Sequence, residues 1–317
     1  MLALKPPGST LLPGGFLLRL TDFPMIITTR DTLILKVLAR YYVLDRRQVQ
    51  QLCFPKDPDG RVARRRLAAL VDAGLIYRHS TLVASSHDGP LASVYLLTAK
   101  GCQHLADRLG DAAFLYKPVH LPHRLHVVHA LAVAELHILL DTAVAAESGV
   151  TLEAWYNEHD IINAADPDPY YHYRLRTKFT GDPDIICSPD AGFLLNQGGW
   201  RAAYYLELER SDGHHGTGCR QLAERKCPGY AEVARHGVYR QHFPGAEIDG
   251  FRVLLVAPHE RRRDGIRRAF AEKDPVEFRT DLWRFAALTD ITVESLLSDN
   301  IYYRCGGGPA EQLLPAG

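Results

Sequence analysis

The sequence predicts a mixed α+β or α/β chain built as two units, and three observations carry that expectation. Residues 31–110 run in the order helix, helix, helix, strand, loop, strand, helix. Residues 118–290 open on a long apolar helix and continue through four β-like runs, a helix, a strand, a helix and a last apolar run. Between the two lies DAAFLYKPVH, with the composition of a linker, which sets the boundary near residue 115. The expected division is an N-terminal extension at 1–29, a first domain at 30–110, a second at 118–290 and a flexible tail at 304–317, RCGGGPAEQLLPAG.

In the first unit DTLILKVLARYYVL places apolar residues at helical spacing behind Asp31, a candidate N-cap. DRRQVQQLCF offers Asp45 as the cap of a second, short helix, and RVARRRLAALVDAG reads as a third, ended by Gly74. The runs LIYRH and SVYLLT flank the polar loop STLVASSHDGPLA, and TAKGCQHLADRLG starts a further helix near Thr98. This is the order of a winged helix-turn-helix. At 100° per residue the third helix gathers Ala63, Leu67, Leu70 and Val71 on one side, leaving Arg61, Arg64, Arg65 and the small Ala68 on the other. In a helix-turn-helix such a face meets the major groove, where arginine addresses guanine edges or phosphates. Double-stranded DNA is therefore the expected partner of Arg61, Arg64 and Arg65, while Arg66 projects toward the core and reads as structural.

The charge distribution agrees. The whole chain is balanced, 37 basic against 37 acidic residues, yet Arg30 to Arg78 holds eleven Lys/Arg and five Asp/Glu. Six scattered cysteines without a CxxC pair favour reduced thiols and a cytoplasmic protein over a disulfide framework. Pro13, Gly14, Gly15, Arg19 and Asp22 interrupt the apolar N-terminal stretch, so no membrane segment is expected. A Walker loop and a strand-to-helix GxGxxG are both missing, which leaves nucleotide hydrolysis and dinucleotide chemistry without support.

In the second unit LPHRLHVVHALAVAELHILLDTAVAAE is one long helical pattern. Its His123, His126 and His129 step by three and drift around the helix, as packing or groove-lining histidines do; Glu135 is a candidate outer member of an acidic site. The long segment NAADPDPYYHYRLRTKFTG reads as an insertion near the site. His214, His215, Cys219 and Cys227 match no common zinc spacing.

The chemistry concentrates around YYLELERSDG. Strand alternation puts Leu206 and Leu208 on one face, Glu207 and Glu209 on the other. Upstream, in GDPDIICSPD, Pro183 and Asp184 open an apolar strand, and Glu158 closes TLEAWYNE. Carboxylates gathered in this way are the oxygen ligands that Mg²⁺ or Mn²⁺ takes, so Asp184, Glu207 and Glu158 are the candidate metal ligands. The plainer reading has Glu209 paired with Arg210 or Arg220 and Asp184 capping a turn.

The order helix, strand, PD strand, ExE strand, helix, strand resembles the PD-(D/E)xK restriction-endonuclease-like core. That resemblance implies a metal held by Asp184 and Glu207, with Glu209 at the position of the family's lysine and Lys226, in LAERKCPGY, as the replacement charge. The basic first unit, LPHRLHVVHALAVAEL, PD, YLELERSDG and LAERKCPGY together resemble the replication-relaxation family over roughly residues 30–270. What this implies is a DNA-associated protein of plasmids or integrative elements, acting with replication or conjugation machinery. Asp184, Glu207, Glu209 and Lys226 would be its catalytic set if it nicks DNA with a divalent metal. A non-catalytic DNA-binding accessory, or a transcriptional regulator with a degenerate nuclease-like domain, is the alternative.

Overall fold

The structure, a computed structural model, describes residues 26–79, 93–120, 124–163, 165–211, 216–274 and 282–314. Helix α1 (Thr29–Tyr41) is capped by Thr28, and Asp31, expected as the cap, is its N3 partner in a capping box. The Asp31 carboxylate accepts the Thr28 N–H at 2.8 Å and the Thr28 hydroxyl at 2.6 Å, so cap and third residue satisfy one another. Strand β1 (Leu44–Asp45) leads into α2 (Arg46–Cys53), where Asp45 is the cap as expected and Gln48 closes the box. Helix α3 (Arg61–Asp72) starts after Gly60, whose φ of 61° suits glycine, and buries Ala63, Leu67 and Leu70. Strands β2 (Ile76–His79) and β3 (Val94–Leu97) pair antiparallel, and β1 joins the other edge of β3. The loop that links β2 to β3 lies outside the described residues, as does His123. Thr98 caps α4 (Ala99–Leu109), which ends at Gly110 with φ 67°.

Helix α5 (Arg124–Ala146) is shared by two cores. Ala134 and Ile138 complete the core of α1–α4, while Val133, Leu136, Leu140 and Ala143 pack on the large sheet. Among the described residues it is the one helix long and apolar enough to cross a membrane, and these contacts account for its apolarity. Asp141 fastens α1 to it, accepting from Arg40 Nε at 2.6 Å and from the Tyr41 hydroxyl at 2.7 Å. The first unit thus leans on the first helix of the second.

The chain continues through β4 (Val150–Asn157), β5 (Thr177–Phe179), β6 (Ile185–Cys187), β7 (Ala191–Gln197), β8 (Trp200–Leu208), α6 (Gly216–Arg235) and α7 (Tyr239–His242). It closes with β9 (Phe251–Ala257), α8 (Glu260–Lys273), β10 (Trp283–Ala287), α9 (Ser295–Ser298) and β11 (Tyr303–Arg304). The predicted mixed α/β fold is what the structure contains: a six-stranded sheet ordered β11-β10-β9-β8-β7-β4. Strands β8, β9 and β10 run parallel and the remaining pairs antiparallel. Helices α6 and α8 cover one face through Ala223, Tyr230, Ile266 and Phe270; α5 and the C-terminal segment cover the other. Leu206 and Leu208 belong to the α5 side, so the alternation read from YLELE holds and Glu207 faces α6.

Two expectations change here. The strand after Pro183–Asp184 is β6, which pairs with β5 in a separate two-stranded sheet; the neighbour of β8 is β7. The C-terminal segment, expected to be loose, is packed as far as it is described. Tyr302 bridges to Glu311, and Leu313 and Leu314 are buried in the core beside α5. A leucine pair without periodicity gave no helical or strand signal, but it fills the sheet face left open beyond α5.

Candidate functional site

Glu207 sits one residue before the carboxyl end of β8, where the sheet changes from antiparallel to parallel pairing. It is 5% exposed. A buried carboxylate needs partners, and α6 supplies two, one turn apart. Lys226 Nζ lies 2.7 and 2.6 Å from its two oxygens, and the Tyr230 hydroxyl donates to Oε1 at 2.6 Å. Helix α6 runs on through Pro228, which is exposed, so Lys226 keeps its helical phase. Between Lys226 and Tyr230, Gly229 lets the helix close on β6: a Cβ there would stand 3.1 Å from the Ile186 carbonyl and the Cys187 Cβ.

The second carboxylate of the site is Asp190, half-buried directly before β7. Its main chain is strapped between two strands, its N–H donating to Leu206 O and its carbonyl accepting from Glu158 N, both at 3.1 Å. Its side chain accepts the Leu208 N–H at 2.7 Å and stands 3.1 Å from His129 Nε2 of α5. Glu158, Asp190, Glu207, Glu209, His126, His129 and Lys226 all line one cavity of about 610 Å³.

Asp184 is not among these lining residues. It is bound to Lys178 at 3.0 Å and to the Gly181 N–H at 3.0 Å, beside the β5–β6 pair. Glu209 lines the cavity but turns to other partners, the Ser211 N–H at 2.7 Å and Arg262 at 4.0 Å. Arg220 pairs instead with Glu272. Glu135 accepts from Gln48 of α2 and stands apart from the acidic cavity. Sequence reasoning missed Asp190 and Tyr230. The signal for the first was present, because GDPDIICSPD holds a second Pro–Asp pair, Pro189–Asp190, immediately before the strand that pairs with β8.

The electrostatics follow from burial and these neighbours. Burial, reinforced by Asp190, pushes Glu207 up to about 7 against the pull of Lys226 and Tyr230. For Lys226 burial opposes the charge, but Glu207 and Asp190 overcome it and hold the ammonium above the usual lysine range. Burial likewise opposes ionisation of Asp190, yet His129, Lys226 and the Leu208 N–H keep it below the ordinary carboxylate range. His129, desolvated but facing Asp190, Glu158 and Glu207, is raised. The cavity therefore holds an anion at Asp190, a cation at Lys226 and a carboxyl that titrates near neutrality, the range in which proton transfer is useful.

Oxygen donors of the kind a hard divalent ion takes are present, but their arrangement does not fit one. Among the described residues no three His, Cys, Asp or Glu side chains are grouped to hold a metal. The position a cation would take on Glu207 is filled by the Lys226 ammonium, which reaches both oxygens.

A second feature lies on α3. Arg61, Arg64, Arg65 and Ala68 are exposed on the side opposite its buried residues. Arg66, read as structural, is half-buried against α1, its Nε 2.8 Å from Asp31. An open groove of about 930 Å³ runs beside α3, with Arg30, Lys36, Arg65 and Arg108 on its walls.

The family model described as Replication-relaxation matches residues 35–245, a span that takes in α3, Asp190, Glu207 and Lys226. This chain belongs to the replication-relaxation family. No curated protein and no solved structure matches it. The replication-relaxation match stops before β9, so the last strands of the sheet and the packed C-terminal segment extend past it.

Proposed function

We propose that this replication-relaxation protein is a cytoplasmic duplex-DNA-binding protein that docks through α3 and serves replication, relaxation or transfer of a plasmid or integrative element. The observation that carries the reading is the state of four arginines in one helix. Arg66 is committed to Asp31, whereas Arg61, Arg64 and Arg65 are exposed and enter no ion pair among the described residues. Unpaired guanidinium groups on one helix face suit phosphate and guanine contacts. Arg30, Lys36 and Arg108 widen the basic surface beside them and suit backbone phosphates. In this reading the Asp190–Glu207–Lys226 cluster is an ion-pair network that fixes α6 on the sheet, and the protein positions replication or conjugation machinery on DNA.

A second reading, metal-dependent nicking, is favoured by the cavity that Glu158, Asp190 and Glu207 share. It requires Lys226 to leave Glu207 to the metal. Incubating supercoiled plasmid with the protein in Mg²⁺, Mn²⁺ or EDTA, beside Glu207→Gln, separates the two. The expected result is a gel shift with the plasmid still supercoiled. Nicked circles made with metal by the wild type and not by Glu207→Gln would replace the first reading with the second.

A further inference from the structure

The exposed face of α3 carries its charge unevenly along the helix. Arg61, Arg64 and Arg65 stand in the first two turns and Asp72 closes the last, all four exposed. Guanidinium groups attract the phosphates of a duplex, and a carboxylate at the other end repels them. A helix charged in this order meets DNA with its N-terminal turns, as the second helix of a helix-turn-helix does.

Ala68 stands in the middle of that face. At 3.6 residues per turn it lies about 20° from Arg61, about 40° from Arg64 and from Asp72, and about 60° from Arg65 around the helix axis. Ala63, Leu67 and Leu70 are buried on the far side. Val62, the other exposed apolar residue of α3, turns instead to the groove that it shares with Leu33 of α1 and Leu109 of α4. Ala68 is therefore the one exposed apolar side chain among the charged residues of the outward face.

The edges of the bases in the major groove present hydrogen-bond donors and acceptors at every pair, and one apolar group, the C5 methyl of thymine. An alanine methyl matches that group in size and polarity. Being short, it reaches the base edges only where the helix seats closely, and no longer apolar or aromatic side chain on the outward face of α3 holds the helix off. The flanking arginines are long enough to pass Ala68 on either side and reach phosphates or guanine edges. On the reading that α3 docks on duplex DNA, we infer that Ala68 is a specificity-determining residue that contacts the methyl group of a thymine in the DNA site. Phosphate contacts are the same in every sequence, so this contact supplies a base preference that charge alone does not.

Editing the DNA tests the inference one methyl group at a time. A duplex preferred by the full-length wild-type chain is selected from a randomised pool, and each of its thymines is replaced in turn by uracil, which removes the methyl and keeps the base pair. One thymine is expected at which uracil weakens wild-type binding about fourfold, the worth of one buried methyl group. Ala68→Gly is expected to bind the thymine and uracil duplexes equally. Glycine also weakens the helix, but the comparison is between two duplexes with one variant, so that loss cancels. A preferred site without thymine, uracil tolerated at every thymine, or a uracil penalty that persists in Ala68→Gly would overturn the role of Ala68. Equal binding to every sequence would overturn it as well while leaving the docking of α3 in place; no binding to any duplex would remove the docking and the thymine contact together.

Discussion

Lys226→Met is expected to destabilise the protein by about 3–5 kcal/mol at about pH 8, because it removes one member of a buried ion pair and strands the other. Glu207 would keep only the Tyr230 hydroxyl, with Asp190 still repelling it. The sign of the pH dependence follows. Glu207 is already raised to about 7 in the folded protein, well above the value of an unfolded glutamate, about 4.3. Losing the ammonium raises it further. Its contribution is then favourable below the unfolded value and lost as pH climbs through the folded one. The deficit of Lys226→Met should therefore be largest above neutrality and shrink toward pH 5. Adding Glu207→Gln should restore most of the loss at high pH. Urea denaturation of the single and double variants at both pH values measures this; a deficit independent of pH would remove the ion pair as its cause.

The second large effect lies in the N-terminal unit. Asp31 is fully buried, accepts from both the backbone and the hydroxyl of Thr28, and is clamped by Arg66. Asp31→Ala loses the capping box of α1 and leaves Arg66 without its counter-ion, a combined cost of about 3 kcal/mol. Part of the Arg66 side chain, 24%, remains open to water, which keeps the cost below that of a fully enclosed pair. Burial works against the Asp31 charge, but Arg66 and Thr28 together hold its pKa below the usual aspartate value. A depressed folded pKa gives stability that is present above the unfolded value and lost as pH falls through the folded one. Thermal melts of wild type and Asp31→Ala should accordingly converge as pH drops below about 4. Melts that stay equally far apart would assign the loss to packing.

These two clusters also show what could be read from the sequence. The helix starts at Thr98 and Asp45 were legible because caps are local, and the cap of α1 was misplaced by three residues because Thr28 and Asp31 share the job. The face of Glu207 was legible from strand alternation. Lys226 came in as a candidate through the family resemblance, its place in space not legible beside Pro228, and the structure brings it onto Glu207. The choice between Asp184 and Asp190 was not legible. Both follow a proline and both precede an apolar run, and only the pairing of β7 with β8, a long-range fact, selects the second. The double duty of α5 was hidden for a related reason: an apolar helix does not reveal how many cores it closes.

The central claim is that α3 carries the DNA contact, and the salt dependence of duplex binding tests it most directly. Wild type and Arg61→Ala/Arg64→Ala/Arg65→Ala would be titrated onto one duplex over a range of salt concentrations. All three side chains are exposed, so the variant is expected to fold as the wild type does. If each arginine neutralises one phosphate, the slope of log K against log salt becomes shallower by about 2–3, with affinity at low salt falling more than about tenfold. Equal slopes and equal affinities would contradict the assignment and place the DNA contact, if there is one, elsewhere on the molecule.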